Sequence, residues 1–558
     1  MEAFPRLREA GQGSRVARVL APSTPAARLR GRLLALRFLS GWRRRLLACL
    51  VGAVGALAMP PFGLWPALVP GFCVLVLLLD GCRGGLGRRL AAAAGIGWWF
   101  GFGYFLVSLW WIGAAFLVEA DVFGWLLPFA VLAMPAGLAL FTALGAMLAK
   151  LLWSKGAARL AALAFGLTVS EWLRGHVLTG FPWNTFGYAF AQSDLLMQSA
   201  ALVGIWGLTF FAVLLLSSPV LLLVPGRRNL AAVAGAALLL AGAAGWGGWR
   251  LATTQVGAVP GVHIRVMQPN LPQDKKFAYD RRREILADYL ALSARPSPAY
   301  PSGLADVTLL IWPESAFPFI YEREPWAAAD MAAALPPNVT LVTGAVRYDL
   351  PPPGQHSPFF NAIRVMDARG RVLRNADKVH LVPFGEYLPF QSFLESIGIE
   401  QLTRVRGGFS SGGTLDGLEV PGAGRAAPLV CYEVIFSGKV IPEGPRPGWL
   451  LNVTNDAWFG TTPGPYQHFV QARLRAVEEG LPLVRAANTG ISAIIDPLGR
   501  IVAGSRLGET GLVDGGLPQP LETVPISARF GGTLLAGLLI LALMLAVAPF
   551  RGCITRKG

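Results

Sequence analysis

Two patterns of apolar and polar positions divide this chain. Eight apolar stretches, dominated by Leu, Ala, Gly, Val, Trp and Phe, cover residues 46–59, 65–80, 91–112, 123–148, 160–175, 200–224, 230–250 and 531–549. A helix needs about 20 apolar residues to cross a bilayer, and fewer where it packs against neighbours. The first pattern therefore predicts a polytopic α-helical membrane domain of seven spans, with one further span near the C-terminus.

The second pattern, within residues 256–525, alternates short β-rich runs with helical stretches. Predicted strands cover residues 307–312, 340–346, 361–367, 449–453, 483–487 and 491–496, and predicted helices cover 281–293 and 466–479. Asp-Ala-Arg-Gly at 367–370 and Asp-Pro-Leu-Gly at 496–499 are turn signals that close hairpins. Alternation of this kind predicts a layered α/β domain.

The net positive charge of the chain comes from residues outside this α/β segment. Residues 256–525 hold 24 Lys and Arg against 26 Asp and Glu, whereas the net charge of the whole chain is +16. The basic residues outside 256–525 fall in the tails and on alternate loops, which is the positive-inside pattern of membrane proteins. The distribution argues against a nucleic-acid partner.

The loop charges also predict which side each segment occupies. With the basic loops in the cytoplasm, seven crossings place residues 256–525 on the far side and the eighth returns the tail, so both termini are cytoplasmic. We expect four parts: a basic, disordered extension at 1–45, a membrane domain at 46–255, an α/β domain at 256–525, and a last span with a basic tail at 526–558.

Cys431 is the single cysteine of the α/β segment, at the end of a short apolar run. The other four, Cys49, Cys73, Cys82 and Cys553, lie in or beside the apolar stretches. Their spacing predicts neither a disulfide framework nor a zinc site, and we expect no metal or organic cofactor. Cys431 is either an inert core residue or a nucleophile.

Two upstream residues carry the groups that a thiol nucleophile needs. Glu314 follows a predicted strand and a proline, and could accept the thiol proton. Lys378 could stabilise a thiolate and the oxyanion that forms on attack of an ester. Each residue also has an ordinary alternative, a capping acid for Glu314 and a solvated charge for Lys378. The residues alone leave both interpretations open.

Several motifs favour the interpretation of Cys431 as a nucleophile. The order Glu, Lys, Cys in the contexts Trp-Pro-Glu314, Asp-Lys378 and Cys431-Tyr-Glu resembles the nitrilase (carbon–nitrogen hydrolase) superfamily. Four further segments resemble bacterial apolipoprotein N-acyltransferases: Gly-Phe-Pro-Trp-Asn at 180–184, Gln-Pro-Asn-Leu-Pro-Gln at 268–273, Leu-Val-Pro-Phe-Gly-Glu-Tyr-Leu-Pro at 381–389, and Asn-Val-Thr-Asn-Asp-Ala-Trp-Phe-Gly at 452–460. The resemblance implies a nitrilase-like αββα sandwich carried by the membrane domain.

The resemblance also implies roles for individual residues. The general base corresponds to Glu314, the lysine to Lys378 and the nucleophile to Cys431. Supporting residues correspond to Glu386, Tyr432 and Glu433. Phe277 stands where the family commonly has Trp, so it keeps an aromatic face for an acyl chain but loses the indole N–H.

The implied activity is acyl transfer at the bacterial inner membrane. An acyl chain passes from a phospholipid, with phosphatidylethanolamine the expected donor, through a Cys431 thioester to the N-terminal amine of diacylglyceryl-modified apolipoproteins. We expect a monomer whose α/β domain is periplasmic. A membrane-anchored nitrilase-type amidase and a non-catalytic lipid carrier or transporter are the alternatives.

Three apolar loops of the α/β segment are candidates for contact with lipid. They contain Phe319, Phe390 and Trp458, within residues 317–321, 387–393 and 458–466. We expect these loops to act as arms or lids over Cys431. Ordinary core packing is the alternative for each.

Overall fold

A computed structural model describes residues 24–273, 279–350, 357–396, 401–402 and 408–554, with side chains to residue 548. Phe277 lies outside the described residues.

Helices occupy all eight stretches that the sequence pattern predicted. The helices outside the α/β domain are α1 Pro25–Ala35, α2 Gly41–Gly55, α3 Leu68–Asp80, α4 Leu86–Leu109, α5 Ala120–Phe123, α6 Leu127–Leu151, α7 Ala158–Arg174, α8 Asp194–Met197, α9 Ala200–Ser217, α10 Arg227–Thr253 and α15 Ile526–Ile554. Among the described residues, five helical segments are long and apolar enough to cross a membrane: Leu86–Leu117, Ala120–Leu151, Ala200–Leu223, Arg227–Thr253 and Ile526–Ala548. The chain is a membrane protein.

Small residues allow these helices to pack closely. A Cβ added to Gly101 of α4 would lie 1.8 Å from the hydroxyl of Thr142 on α6, and one added to Gly52 of α2 would lie 2.0 Å from the carbonyl oxygen of Phe100. Close backbone approach through small residues is the usual way apolar helices associate in lipid. The helices therefore form one packed bundle that carries the α/β domain.

Helix α1 corrects the expectation that residues 1–45 are disordered throughout. Thr24 caps α1 by accepting a hydrogen bond from Ala27 N at 3.2 Å, and Pro25 occupies the first turn, where its missing N–H costs nothing. Arg30 Nε donates to the carbonyl of Leu223 at 2.8 Å, which ties α1 to the bundle. Disorder was therefore a wrong prediction for residues 25–35, and residues 1–23 lie outside the described part.

The α/β domain contains twelve described strands and four described helices. The strands are β1 Ala258–Gln268, β2 Leu309–Ile311, β3 Thr340–Tyr348, β4 Phe359–Met366, β5 Val372–Asp377, β6 Leu418–Val420, β7 Gly424–Val430, β8 Trp449–Thr454, β9 Leu483–Ala487, β10 Ala493–Ile495, β11 Ile501–Gly504 and β12 Gly511–Pro518. The helices are α11 Arg282–Ala294, α12 Pro325–Ala334, α13 Gln391–Ser396 and α14 Pro463–Glu479. All six predicted strands and both predicted helices are confirmed to within a few residues.

The strands form two six-stranded sheets. The first has the order β12-β1-β2-β3-β4-β5 and the second β11-β10-β9-β8-β7-β6. In each sheet three strands run parallel at the centre, β1-β2-β3 and β7-β8-β9, and antiparallel strands complete the edges. The two predicted turns close the β4–β5 and β10–β11 hairpins. Parallel central strands direct their carboxyl ends to one edge, where site residues commonly lie.

The domain has four layers, two sheets between two layers of helices, and three apolar clusters hold the layers together. One apolar cluster joins the facing sides of the two sheets, with Val266 and Ile311 from the first and Leu451 from the second. A second cluster packs α11 and α12 on the outer face of the first sheet. A third packs α14 on the outer face of the second sheet and continues into the membrane helices. The domain is thus an α-β-β-α sandwich seated on the bundle through α14.

Gln467 of α14 makes five hydrogen bonds to the membrane domain. Its Oε1 accepts hydrogen bonds from Trp111 Nε1 at 3.0 Å, Trp183 Nε1 at 2.9 Å and Asn184 Nδ2 at 3.0 Å. Its Nε2 donates to the carbonyls of Pro60 at 3.2 Å and Ser108 at 3.0 Å. The amide is fully buried, so these bonds form away from water. Part of the Gly-Phe-Pro-Trp-Asn motif therefore serves to dock the two domains.

Candidate active site

Cys431 stands at the junction of β7 and a short 3₁₀ turn. Its backbone adopts φ +54°, a left-handed conformation that is rare for a residue with a Cβ. β7 lies beside β8, with Val430 paired to Val453, so the sulfur emerges next to Thr454 at the end of the neighbouring strand. The side chain is 8% exposed. A sharp turn therefore begins at Cys431, directly after β7.

Glu314 lies just beyond the end of β2, and the adjacent strand makes room for it. A Cβ on Gly344 of β3 would lie 2.5 Å from Glu314 Cα and 2.8 Å from Ser315 N. The amide of Ala316 donates to the Gly344 carbonyl at 2.9 Å, which holds the chain in this position. Gly344 is required because the backbone of Glu314 crosses directly over it.

A buried lysine and two carboxylates form one hydrogen-bonded chain. Lys378, directly after β5, lies 3.0 Å and 2.9 Å from the two oxygens of Glu386. Asn361 Nδ2 donates to Glu314 Oε1 at 2.7 Å and to Glu386 Oε1 at 2.9 Å. The Glu386 side chain also accepts from Val382 N at 2.9 Å. Asn361 therefore bridges the two glutamates and fixes Glu386 against the lysine.

Glu433 and Tyr432 tie the cysteine turn to the lysine loop. Glu433 accepts hydrogen bonds from the backbone amides of Val379 and His380, each at 2.9 Å, and of Val430 at 2.7 Å. Burial raises the pKa of Glu433 to about 7, although Lys378 and these three amides favour its charged form. The Tyr432 hydroxyl donates to the Leu381 carbonyl at 2.7 Å. Both residues position the turn.

Burial, reinforced by the charge of Glu314, keeps the Cys431 thiol neutral at rest. Burial raises the pKa of Cys431, the Glu314 carboxylate raises it further, and the nearby Lys378 ammonium lowers it by less. Burial lowers the pKa of Lys378, but the carboxylates of Glu386 and Glu314 outweigh burial and raise it overall. The lysine is therefore charged, and attack by Cys431 needs a base to remove the proton as the new bond forms.

A second buried network lies behind the sulfur. Thr454 Oγ1 is 3.4 Å from Cys431 Sγ and 3.0 Å from Asp456 Oδ1. Asp456 also contacts His468 Nδ1 at 2.9 Å and Arg485 Nη2 at 2.7 Å. Arg485 donates through Nη1 to the side chain of Asn452, whose amide donates to the Cys431 carbonyl at 3.1 Å. This network thus holds the strained turn at Cys431 through the side chains of Asn452 and Thr454.

The three candidate lid residues have different surroundings. Phe390 is 85% exposed with φ +54°, and Phe384 and Phe393 beside it are also exposed, so this loop offers apolar rings to its surroundings. Trp458 is half-buried in a 3₁₀ turn at residues 456–459. Phe319 is 6% exposed and packs against Phe317 and Trp326 between the first sheet and α12. A lipid-facing role for Phe319 was therefore a wrong prediction, because its ring fills the core.

Several residues of the site escaped the sequence analysis. Asn361 is the polar residue in the otherwise apolar run Phe359–Ile363 of β4, and a buried amide at that place signals a bonding role. Asp456 lies in a matched motif but was assigned no chemistry. His468 and Arg485 lie on separate elements, and only the fold brings them together.

Comparisons with known proteins agree over almost the whole chain. The model of the apolipoprotein N-acyltransferase N-terminal domain matches residues 51–217, and the carbon–nitrogen hydrolase model matches residues 281–522. A protein of Rhodopseudomonas palustris named apolipoprotein N-acyltransferase is 51% identical over 91% of this chain and 95% of its own length. The chain belongs to the apolipoprotein N-acyltransferase family. A relative of the same name in Bradyrhizobium diazoefficiens is 52% identical over 93% of this chain and 97% of its own.

Among solved structures, an amidase from Nesterenkonia sp. AN1 aligns with a TM-score of 0.31 at 19% identity, covering 46% of this chain and 93% of the amidase. The family assignment confirms the resemblance drawn from the motifs. It rests on both domains, since each has its own matching model.

Proposed function

We propose that this protein transfers an acyl chain from a phospholipid to the N-terminal amine of lipoproteins, through a thioester on Cys431. The observation that supports the proposal is the hydrogen-bonded chain from Glu314 through Asn361 and Glu386 to Lys378, together with the effect of both the Glu314 and the Lys378 charge on the pKa of the Cys431 thiol. The names of the relatives support the same reaction class.

In the first step Cys431 Sγ attacks the ester carbonyl of the phospholipid. Glu314 takes the thiol proton as the sulfur–carbon bond forms, and the Lys378 ammonium stabilises the oxyanion. The Tyr432 backbone N–H is a second donor at that position. The carbon–oxygen bond then breaks, and Glu314 returns the proton to the departing alkoxide. The products are a lysophospholipid and an acyl-enzyme.

In the second step the α-amino group of a diacylglyceryl-cysteine attacks the thioester. Glu314 accepts a proton from the attacking amine, the carbon–sulfur bond breaks, and the proton returns to the Cys431 thiolate. The product is an amide, and the enzyme is restored. Glu386 and Asn361 serve both steps, because they hold Lys378 and Glu314 in place.

The membrane domain brings the site to its lipid substrates. We assign seven spans before β1 and one after β12, with residues 256–525 periplasmic and both termini cytoplasmic. A helix at each of the eight stretches and the basic residues on alternate loops support this topology. It corresponds to a membrane domain at 46–255 and a final span and tail at 526–558.

Access from the bilayer is an energetic requirement of the reaction. Moving a chain of about fifteen methylenes into water costs on the order of 10 kcal/mol at ~0.8 kcal/mol per methylene. The exposed rings of Phe384, Phe390 and Phe393 offer an apolar route from lipid to the site. We assign Phe390 and Trp458 to the acyl-binding face, with phosphatidylethanolamine as donor and a monomer as the active unit.

The test is acyl transfer in proteoliposomes that contain phosphatidylethanolamine labelled in its acyl chain and a diacylglyceryl peptide. The wild-type protein should convert the peptide to its N-acyl form, whereas Cys431→Ala should form no product. Release of free fatty acid without amide formation would contradict the acyltransferase assignment and favour an amidase-like hydrolase. Product formation by Cys431→Ala would exclude Cys431 as the nucleophile.

A further inference from the structure

The hydroxyl of Thr454 lies between two acceptors but carries one proton. Its oxygen is 3.4 Å from Cys431 Sγ and 3.0 Å from Asp456 Oδ1. Thr454 and Asp456 are fully buried, so solvent does not compete for this proton. A threonine hydroxyl donates one hydrogen bond at a time and rotates to suit its partner. Its direction therefore depends on which acceptor is the more strongly negative.

Asp456 loses little when the Thr454 hydroxyl stops donating to it. Burial opposes its ionisation, but the charge of Arg485 and the contact with His468 outweigh burial and lower the pKa of Asp456. The carboxylate can only accept, so the 2.9 Å contact requires His468 Nδ1 to carry a proton and donate it. When Thr454 turns away, Asp456 keeps His468 on Oδ1 and Arg485 on Oδ2.

The sulfur becomes a stronger hydrogen-bond acceptor during the reaction. A neutral thiol is a weak acceptor, whereas a thiolate is charged and attracts a donor strongly. The charged groups that act on the pKa of the thiol are Glu314 after β2, Lys378 after β5 and Asp456 after β8. Two of the three are negative, so a neutral donor beside the sulfur offsets repulsion that Lys378 alone does not balance.

We propose that Thr454 is a catalytic residue that swings its hydroxyl proton from Asp456 to Cys431 Sγ whenever negative charge develops on the sulfur. Asp456, His468 and Arg485 are positioning residues that hold the hydroxyl in reach of both acceptors. No proton is gained or lost, because the O–H bond of Thr454 stays intact and only its hydrogen-bond partner changes.

This inference rests on the proposed function and deepens it. During acylation the hydroxyl turns to the sulfur as Glu314 removes the thiol proton, and it returns to Asp456 once the neutral thioester has formed. During deacylation the carbon–sulfur bond breaks, the leaving thiolate again receives the hydroxyl, and Glu314 then returns the proton. The same donor thus assists a nucleophile in one step and a leaving group in the other.

The test compares Thr454→Val, which keeps the volume and loses the hydroxyl, with Thr454→Ser, which keeps the hydroxyl and loses a methyl group. The full-length proteins in detergent are alkylated with iodoacetamide between pH 6 and 9, and modification of the Cys431 peptide is followed by mass spectrometry. A hydrogen bond to a charged acceptor predicts a rate about ten- to a hundredfold lower in Thr454→Val at each pH. Thr454→Ser should stay within about twofold of the wild type.

A purely steric effect predicts the reverse order, because serine changes the packing more than valine does. Equal alkylation profiles for wild type and Thr454→Val would overturn the proposal, as would a larger loss in Thr454→Ser. If Thr454→Val does not fold, Thr454→Ala replaces it against the same serine control. Acyl-enzyme formation by the wild type is measured in parallel. If Thr454→Val is alkylated more slowly but the wild type forms no acyl-enzyme, the proposed function is wrong and the role of the Thr454 hydroxyl stands. If the wild type forms the acyl-enzyme but Thr454→Val is alkylated as fast as the wild type, only the role of the hydroxyl is rejected.

Discussion

Gln467 provides the sharpest test of how the two domains are joined. The substitution Gln467→Leu keeps the approximate volume of the side chain and removes its carbonyl and amino groups. Five hydrogen bonds to the membrane domain are lost. Trp111 Nε1 keeps one partner, the Ser108 carbonyl at 3.0 Å, but Trp183 Nε1 and Asn184 Nδ2 lose the partner that they have in Gln467.

The expected loss follows from those two donors. A buried donor without a partner costs about 1–3 kcal/mol, so two cost about 2–6 kcal/mol of unfolding free energy. Leucine recovers part of this by burying apolar surface, so the lower half of the range is expected. The loss of stability should come from the domain interface, where the rings of Trp111 and Trp183 lie 5.1 Å apart.

The same helix supplies a matched control. Gln471 is one turn further along α14 and equally buried, but within the described part of the chain its side-chain amide has no hydrogen-bond partner. Gln471→Leu should therefore leave stability unchanged or raise it. Denaturant unfolding in detergent micelles, followed by tryptophan fluorescence, measures both variants. Equal midpoints for the two variants would refute the interpretation of Gln467 as the docking residue.

Three further predictions concern the site. Phe390→Glu should slow turnover of bilayer phospholipid more than turnover of a short-chain soluble ester, and equal slowing on both substrates would exclude Phe390 from the lipid route. Phe319→Glu should instead destabilise the fold, which thermal unfolding measures. Glu386→Gln removes the charge that offsets burial of Lys378, so acyl-enzyme formation should fall on the order of 10²–10³-fold in single-turnover assays, and an unchanged rate would contradict the role of the pair. Gly344→Ala should push the backbone of residues 313–315 away by about 1 Å and reduce that same rate about a hundredfold, which a wild-type rate would disprove.

The sequence predicted what periodicity and motif spacing can reveal. The apolar stretches are long and uniform, so the helices could be placed without knowledge of their packing. The strands at 340–346 and 483–487 are short runs with Val and Leu that are flanked by turn signals, and both are confirmed. Glu314 directly follows a predicted strand, whereas Lys378 and Cys431 were connected with it through the resemblance of their motifs to the nitrilase superfamily.

Tertiary contacts decided the rest. Nothing in the sequence near His468 indicates that it meets Asp456, since α14 and the turn after β8 approach each other only in the sandwich. Phe319 and Phe390 occupy similar apolar loops, yet one ring is buried by α12 and the other is exposed. Local hydrophobicity does not distinguish these outcomes, because burial depends on which element packs above the loop.

The most direct test of the central claim is the intact mass of the protein after incubation with phospholipid alone, in the absence of any amine acceptor. A Cys431 thioester predicts an increase equal to one acyl chain, removed by neutral hydroxylamine and absent in Cys431→Ala. An unchanged mass, or an adduct that persists in Cys431→Ala, would contradict the account.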